Sequence, residues 1–200
     1  MVITGVYYAL GVAAMGAVVT SIAGPWAAIP FVILVLFCLN FFRDPHREVA
    51  QGRVAVSPAD GKVVAVVPES GKTRVSIFLN PFDVHVNRTP IGGVIRSVVY
   101  RKGLFLVASR EEATAQNEQN VVTVVGDDGV EVTFSQIVGI VARRLVFYKK
   151  QGDRVAIGDR IGLMKFGSRM DVFFGPEWEI TVSPGQRVRA AESVIARRKN

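Results

Sequence analysis

The chain has 200 residues, half of them hydrophobic, and a formal net charge of +7, which suits one domain or a domain with an anchor. A single cysteine excludes disulfides and cysteine-rich metal sites, so no metal centre is expected, and two histidines leave few candidates for imidazole chemistry. The charge is unevenly placed, because residues 1–42 contain no Asp, Glu, Lys, Arg or His.

That uncharged stretch divides at Gly24-Pro25. Its first half, "VITGVYYALGVAAMGAVVTSIAG", is rich in small residues and long enough for a bilayer core that needs about 20 helical residues. The second half, "PWAAIPFVILVLFCLNFF", is bulkier, shorter and carries Pro30. Tyr7, Tyr8, Trp26, Phe41 and Phe42 stand at the margins, where aromatic rings favour the membrane interface. No Lys or Arg precedes the apolar run and a second run follows, which argues against a signal peptide. A pair of buried core helices is the alternative, but forty-two uncharged residues exceed an ordinary core run. The expected first domain, 1–42, is therefore a helical membrane hairpin. Arg43, Arg47 and Arg53 just beyond it predict that the rest of the chain lies on the cytoplasmic side of the cell membrane. A basic domain held there is attracted to an anionic lipid surface. Nucleic acid is the competing partner for such a charge, but no nucleic-acid motif is present. His46, in the same basic segment, reads as a solvated interface residue.

Residues 43–200, the expected second domain, read as mainly β, with a sandwich or barrel-like architecture. "RVAVSPADGKVVAVV" looks like two strands around a Pro-x-Asp-Gly turn. "TRVSIFL", "FDVHVNR", "GGVIRSVVYR" and "RLVFYKK" continue in short β-branched runs, and "VVGDDGVEVTF" is a hairpin on its Asp-Gly signal. "GLFLVASREEATAQNEQN" alone lacks strand character and reads as a long loop with a helical turn. Near the C-terminus, residues 151–164 and 184–197 form a weak repeat with a shared Gly-x-Arg-Val start. Two such halves resemble the quasi-symmetric sandwich of biotinyl and lipoyl carrier domains, whose modified lysine sits at a hairpin tip. Lys165 is in roughly that place, so a membrane-tethered carrier or binding module modified at Lys165 is one reading. A tethered β-domain that only binds lipid or a partner is another.

Three residues could make a reactive site. In "FDVHVNR" strand alternation puts Phe82, Val84 and Val86 on one face and Asp83, His85 and Asn87 on the other. His85 is either a structural histidine or a general base of the type that works near neutral pH. Asp60 in "SPADGK" is what a tight turn asks for, and it is also a candidate third member of a Ser-His-Asp arrangement. Ser168 follows Gly167 without a nucleophile-elbow motif. What Gly167 offers is an unhindered carbonyl directly before a hydroxyl, in a backbone free to adopt strained angles.

Taken together, "FFRDPHR", "SPADGKV", "FDVHVNRTPIGG", "NEQN", "QIVGIVARR", "GDRIGLMKFGSRMDVFF" and "GQRVRAAESVIA" resemble the phosphatidylserine decarboxylase family in its short prokaryotic form. They run in family order over almost the whole chain from residue 41. The resemblance implies a proenzyme in which Ser168 is the self-processing serine, His85 its base and Asp60 the residue orienting His85. Cleavage between Gly167 and Ser168 would give a β chain, 1–167, and an α chain, 168–200. Ser168 would then be a covalent pyruvoyl cofactor that decarboxylates phosphatidylserine to phosphatidylethanolamine through a Schiff base. A homodimer is compatible with all of this.

Overall fold

Gly24 stops the first apolar run by turning at φ +90, a region that favours glycine. The computed structural model, which describes residues 1–108, 111–139, 145–165 and 168–199, divides into two units, Met1–His46 and Arg47–Asn200. In the first, α1 (Ile3–Ala23) is followed by a 3-10 turn at Pro25–Ala27 and by α2 (Ala28–Phe41). Pro30 falls in the first turn of α2, where a missing N–H costs no helical bond. The two helices run antiparallel: Val2 N–H donates to Phe42 O at 3.0 Å, and Tyr8 stacks on Phe42. Small residues permit the approach, since a Cβ on Gly5 would lie 2.3 Å from Phe42 Cβ and one on Gly16 2.7 Å from Phe31 Cβ. By length and composition α1 is able to cross a membrane, whereas Pro25–Phe41 is shorter. The two apolar halves thus give one helix of spanning length among the described residues.

The second unit is mainly β. Its strands are β1 (Val54–Val56), β2 (Gly61–Glu69), β3 (Lys72–Leu79), β4 (Val86–Arg88) and β5 (Gly93–Arg101). After a single helical turn, α3 (Ala113–Gln116), come β6 (Gln119–Val125), β7 (Glu131–Ile137), β8 (Leu145–Phe147), β9 (Arg154–Val155) and β10 (Arg160–Met164). The last four are β11 (Ser168–Phe174), β12 (Trp178–Ile180), β13 (Arg187–Val188) and β14 (Val194–Arg198). Eight of them form one antiparallel sheet, β13-β2-β3-β11-β7-β6-β5-β9, curled into a half-barrel. Two three-stranded sheets, β1-β14-β12 and β4-β10-β8, complete the unit. One core joins all three, with Val75, Ile77, Val124, Phe134 and Val172 meeting Ala55, Ile161 and Ile195.

The sheets carry an internal two-fold relation. Exchanging β1–β3 with β4–β6, β11 with β7, and β12–β14 with β8–β10 maps the strand order onto itself. The register follows: Val56 N–H donates to Pro90 O and Arg88 N–H to Pro58 O, both at 2.9 Å. Matching bulges interrupt β2 at Val63/Ala65 and β5 at Ile95/Ser97. The repeat read in 151–164 and 184–197 falls on β9–β10 and β13–β14, which exchange with one another.

Two details differ from the sequence expectation. The strand expected over 82–88 begins only at Val86, because Asn80 and Asp83 fold the preceding segment into a turn. Phe82 N–H donates to Asn80 Oδ1 at 2.8 Å and Asn80 N–H to Asp83 Oδ2 at 2.9 Å. The polar face of that segment is also not a surface, since His85 and Asn87 are both 0% exposed.

The Asp-Gly turn at 60–61 has a second cause besides turn chemistry. Gly61 has φ +156, and a Cβ there would sit 2.3 Å from Phe78 O. Gly61→Ala is expected to cost about 1–3 kcal/mol in backbone strain. In thermal unfolding of the full chain this lowers Tm by about 2–4 °C per kcal/mol. An unchanged Tm would mean that the Phe78 carbonyl moves aside freely.

Candidate active site

Ser168 opens β11, directly opposite Leu79 of β3. Alternation along β11 puts Ser168 on the same face as Met170, Val172 and Phe174, toward the core, and Arg169 and Asp171 on the other. The Ser168 side chain is 0% exposed, and its Oγ has no hydrogen-bond partner among the described residues. Leaving a buried hydroxyl unmatched costs about 1–3 kcal/mol, so this is not a position the fold chose for stability. Gly167, the other half of the expected cleavage site, lies outside the described residues.

His85 reaches the same region through β10. Met164 N–H donates to His85 O at 3.2 Å, and Leu163 pairs with Val86. The His85 ring is buried, with Nδ1 2.9 Å from Asp83 O. A carbonyl only accepts, so Nδ1 carries the proton and the neutral ring keeps its lone pair on Nε2. The main-chain oxygen of Asp83 therefore fixes the tautomer of His85. Asp83 itself is anchored by its side chain to Arg187.

Asp60 comes to the same end of the sheet from the opposite side of β3. β2 pairs Lys62 with Phe78 next to the Leu79–Ser168 pair. The Asp60 carboxylate accepts from Arg47 Nη2 at 3.0 and 2.8 Å and from Ala190 N–H at 2.8 Å. The Arg47 side chain is only 6% exposed. Arg47 is thus a buried partner of Asp60 and not a flanking surface charge like those used to orient the chain in a membrane.

Two further residues belong to the site. Gln136 of β7 pairs with Met170 and so shares the face of Ser168, diagonal to it, at a distance that long side chains bridge. Its Nε2 donates to Asn87 Oδ1 at 2.8 Å. Gly162, opposite Asn87, leaves the room, since a Cβ there would lie 2.8 Å from Gln136 Nε2. Strand alternation in the sequence places Asn87 on the face of His85; Gln136 has no signal of its own there, because its register against β11 is a tertiary fact. The remaining sequence candidates lie apart from this chemistry. His46 is exposed, and Lys165 is half-buried directly after β10, where a carrier lysine would need an open tip.

Comparison with known proteins gives the family. The family model described as phosphatidylserine decarboxylase matches residues 34–196. The chain is 66% identical over 198 residues to a phosphatidylserine decarboxylase proenzyme of Solibacter usitatus (strain Ellin6076), covering 99% of this chain and 97% of that relative. It is 43% identical to a proenzyme of the same description from Erythrobacter litoralis, over 95% of this chain and 84% of the relative. With the one from Nitratidesulfovibrio vulgaris the identity is 38%, over 95% and 91%. Since the family model covers most of the chain and the Solibacter usitatus relative is 66% identical over nearly its whole length, the chain belongs to the phosphatidylserine decarboxylase family.

Proposed function

We propose that this chain is a self-processing, pyruvoyl-dependent enzyme that decarboxylates phosphatidylserine to phosphatidylethanolamine at a membrane. The observation that carries the reading is the buried Ser168 hydroxyl at the head of β11, with the His85 main chain bonded to the strand that leads into it.

In the proposed processing, His85 Nε2 takes the proton of Ser168 Oγ as that oxygen attacks the Gly167 carbonyl through a five-membered ring. The Gly167–Ser168 C–N bond breaks and an ester replaces it. Loss of the Ser168 α-proton expels the Gly167 carboxylate and leaves a dehydroalanine, which water converts to a ketone as ammonia departs. The β chain is then 1–167 and the α chain 168–200. Asp60, its charge met by Arg47 and by Ala190 N–H, holds its turn at the same end of the sheet, while the His85 ring is oriented by Asp83 O. The pieces stay assembled, because β11 lies between β3 and β7 while β13 and β14 pair with β2 and β1.

The position suits such a group. It is buried, opposite Leu79 and on the same face of the sheet as Met170. A pyruvoyl group there supplies a ketone that bonds the substrate amine and accepts the electron pair released as CO2 leaves. His85 holds a proton at Nε2 for return to the substrate carbon. A lipid substrate stays in the bilayer, so residues 1–42 are proposed as the membrane domain with α1 as anchor. Arg43 and Arg53 favour the cytoplasmic side and an anionic lipid surface.

Intact mass of the purified full chain tests the reading. The expected result is two co-purifying pieces split between Gly167 and Ser168, the smaller with a blocked N-terminus, and CO2 release from phosphatidylserine in mixed micelles. A single chain of 21.7 kDa, or two pieces that release no CO2, would refute it.

A further inference from the structure

The internal two-fold relation of the β unit supplies a control for each residue of the site. Register on both sides of the relation makes Ala55 the counterpart of Asn87: Asn87 faces Gly162 in β10, and Ala55 faces Ala196 in β14, each just before a bulge. By the same comparison the counterpart of Gln136 is Phe174: Gln136 pairs with Asn120, and Phe174 with Thr73, at matching places in β6 and β3. Ala55 and Phe174 are both 0% exposed in the core. Where only packing matters, this fold therefore puts an alanine and a phenylalanine at these two places. Beside Ser168 it puts two amides, also 0% exposed. They bond each other once, and Asn87 Nδ2 and Gln136 Oε1 are left buried without partners among the described residues.

Such groups are costly unless something completes them. If both amides are turned over, the pair still bonds itself and still offers one N–H and one C=O. A neutral donor beside a neutral acceptor matches an α-amino acid unit, whose carboxylate accepts and whose nitrogen donates. We propose that the Asn87–Gln136 pair reads the serine headgroup of the substrate, the donor holding the α-carboxylate and the acceptor the amine nitrogen. This rests on the phosphatidylserine reading of the site. A neutral donor also suits decarboxylation better than a cation would, because a cation would stabilise the carboxylate that has to be lost.

The test uses the full chain in detergent micelles with the isosteric variant Asn87→Asp, which keeps the acceptor for Gln136 but loses the donor. Intact mass first reports cleavage before residue 168. Phosphatidylserine and phosphatidylethanolamine are then offered separately with cyanoborohydride. All lipid adducts on the 168–200 piece are summed by mass, whether or not the carboxylate has been lost. Wild type is expected to capture the serine lipid in preference. In Asn87→Asp that preference falls by about tenfold to a hundredfold, while capture of the ethanolamine lipid stays within about twofold. If Asn87→Asp stays uncleaved, Asn87→Leu, which also removes the donor, replaces it, with the same fall expected. A preserved preference, or an equal loss with both lipids, overturns the inference. So does loss of cleavage in both variants, which would assign the pair to processing or to the fold. An uncleaved wild-type chain would instead overturn the reading beneath it.

Discussion

Ser168→Ala is expected to leave one chain of 21.7 kDa, with no 168–200 fragment and no release of CO2 from phosphatidylserine. The change removes the only atom that the proposed acyl shift uses as nucleophile, so the loss should be complete and not graded. Its effect on stability should be small, and that makes the variant informative. The Ser168 hydroxyl is buried and has no hydrogen-bond partner among the described residues, so alanine gives up no bond there. The uncleaved variant should therefore fold and give one cooperative denaturant transition for the β unit. Intact mass and an unfolding curve on the same sample check both halves. A Ser168→Ala chain that still splits would sink the mechanism, and one that fails to fold would make the hydroxyl structural.

Asp171→Asn should be the most destabilising single change in the β unit, by about 3–5 kcal/mol. Asp171 is 0% exposed on the outer face of the sheet, opposite Ser76 and Ser135. It accepts from Arg169 Nε at 2.6 Å and from Thr114 Oγ1 at 3.0 Å, and lies 3.7 Å from Arg74. Both guanidiniums are buried and share Ser76 Oγ, at 2.7 and 2.8 Å. Burial opposes the charge on Arg74, but the Glu69 carboxylate, with Asp171 and Glu111, more than offsets this and raises its pKa above the usual arginine value. Arginine keeps its proton in proteins, so the amide would leave two buried guanidiniums with their most enclosed carboxylate gone. Unfolding by guanidinium chloride in the uncleaved Ser168→Ala background measures the loss. The double change Arg169→Met/Asp171→Leu should recover most of it, since apolar pairs commonly replace buried ion pairs without loss. A cost under about 1 kcal/mol for Asp171→Asn would show that Glu69 and Glu111 suffice alone. Arg169 and Asp171 also flank Met170 one and three places after Ser168, so the network fixes the start of the strand that carries the proposed processing serine.

The proposed cleavage between residues 167 and 168 would separate strands that the sheet keeps together. β11 enters between β3 and β7, at the centre of the two-fold relation, so the α chain cannot leave without opening the eight-stranded sheet. The proposed site would therefore form from both sides of that cut: His85, Asn87 and Gln136 from the β chain, and residue 168 from the α chain.

Much of this was legible in the sequence, for local reasons. A long uncharged run broken by Gly24-Pro25 reads as two apolar helices, and β-branched runs between Asp-Gly and Pro turns read as short strands, from local pattern alone. Ser168, His85 and Asp60 were candidates because their residue types and close neighbours have chemical meaning on their own. What the sequence could not carry is pairing between distant strands. Only the fold turned Arg47 from a juxtamembrane charge into the partner of Asp60, and gave the tautomer of His85 to the main chain of Asp83. Only the registers of β4 with β10 and of β7 with β11 set Asn87 against Gln136 beside the serine, and only the two-fold relation revealed that the fold itself would have chosen Ala and Phe there. A strand's pattern states which of its residues share a face; which other face it meets is decided by long-range pairing, and that is a property of the whole sheet.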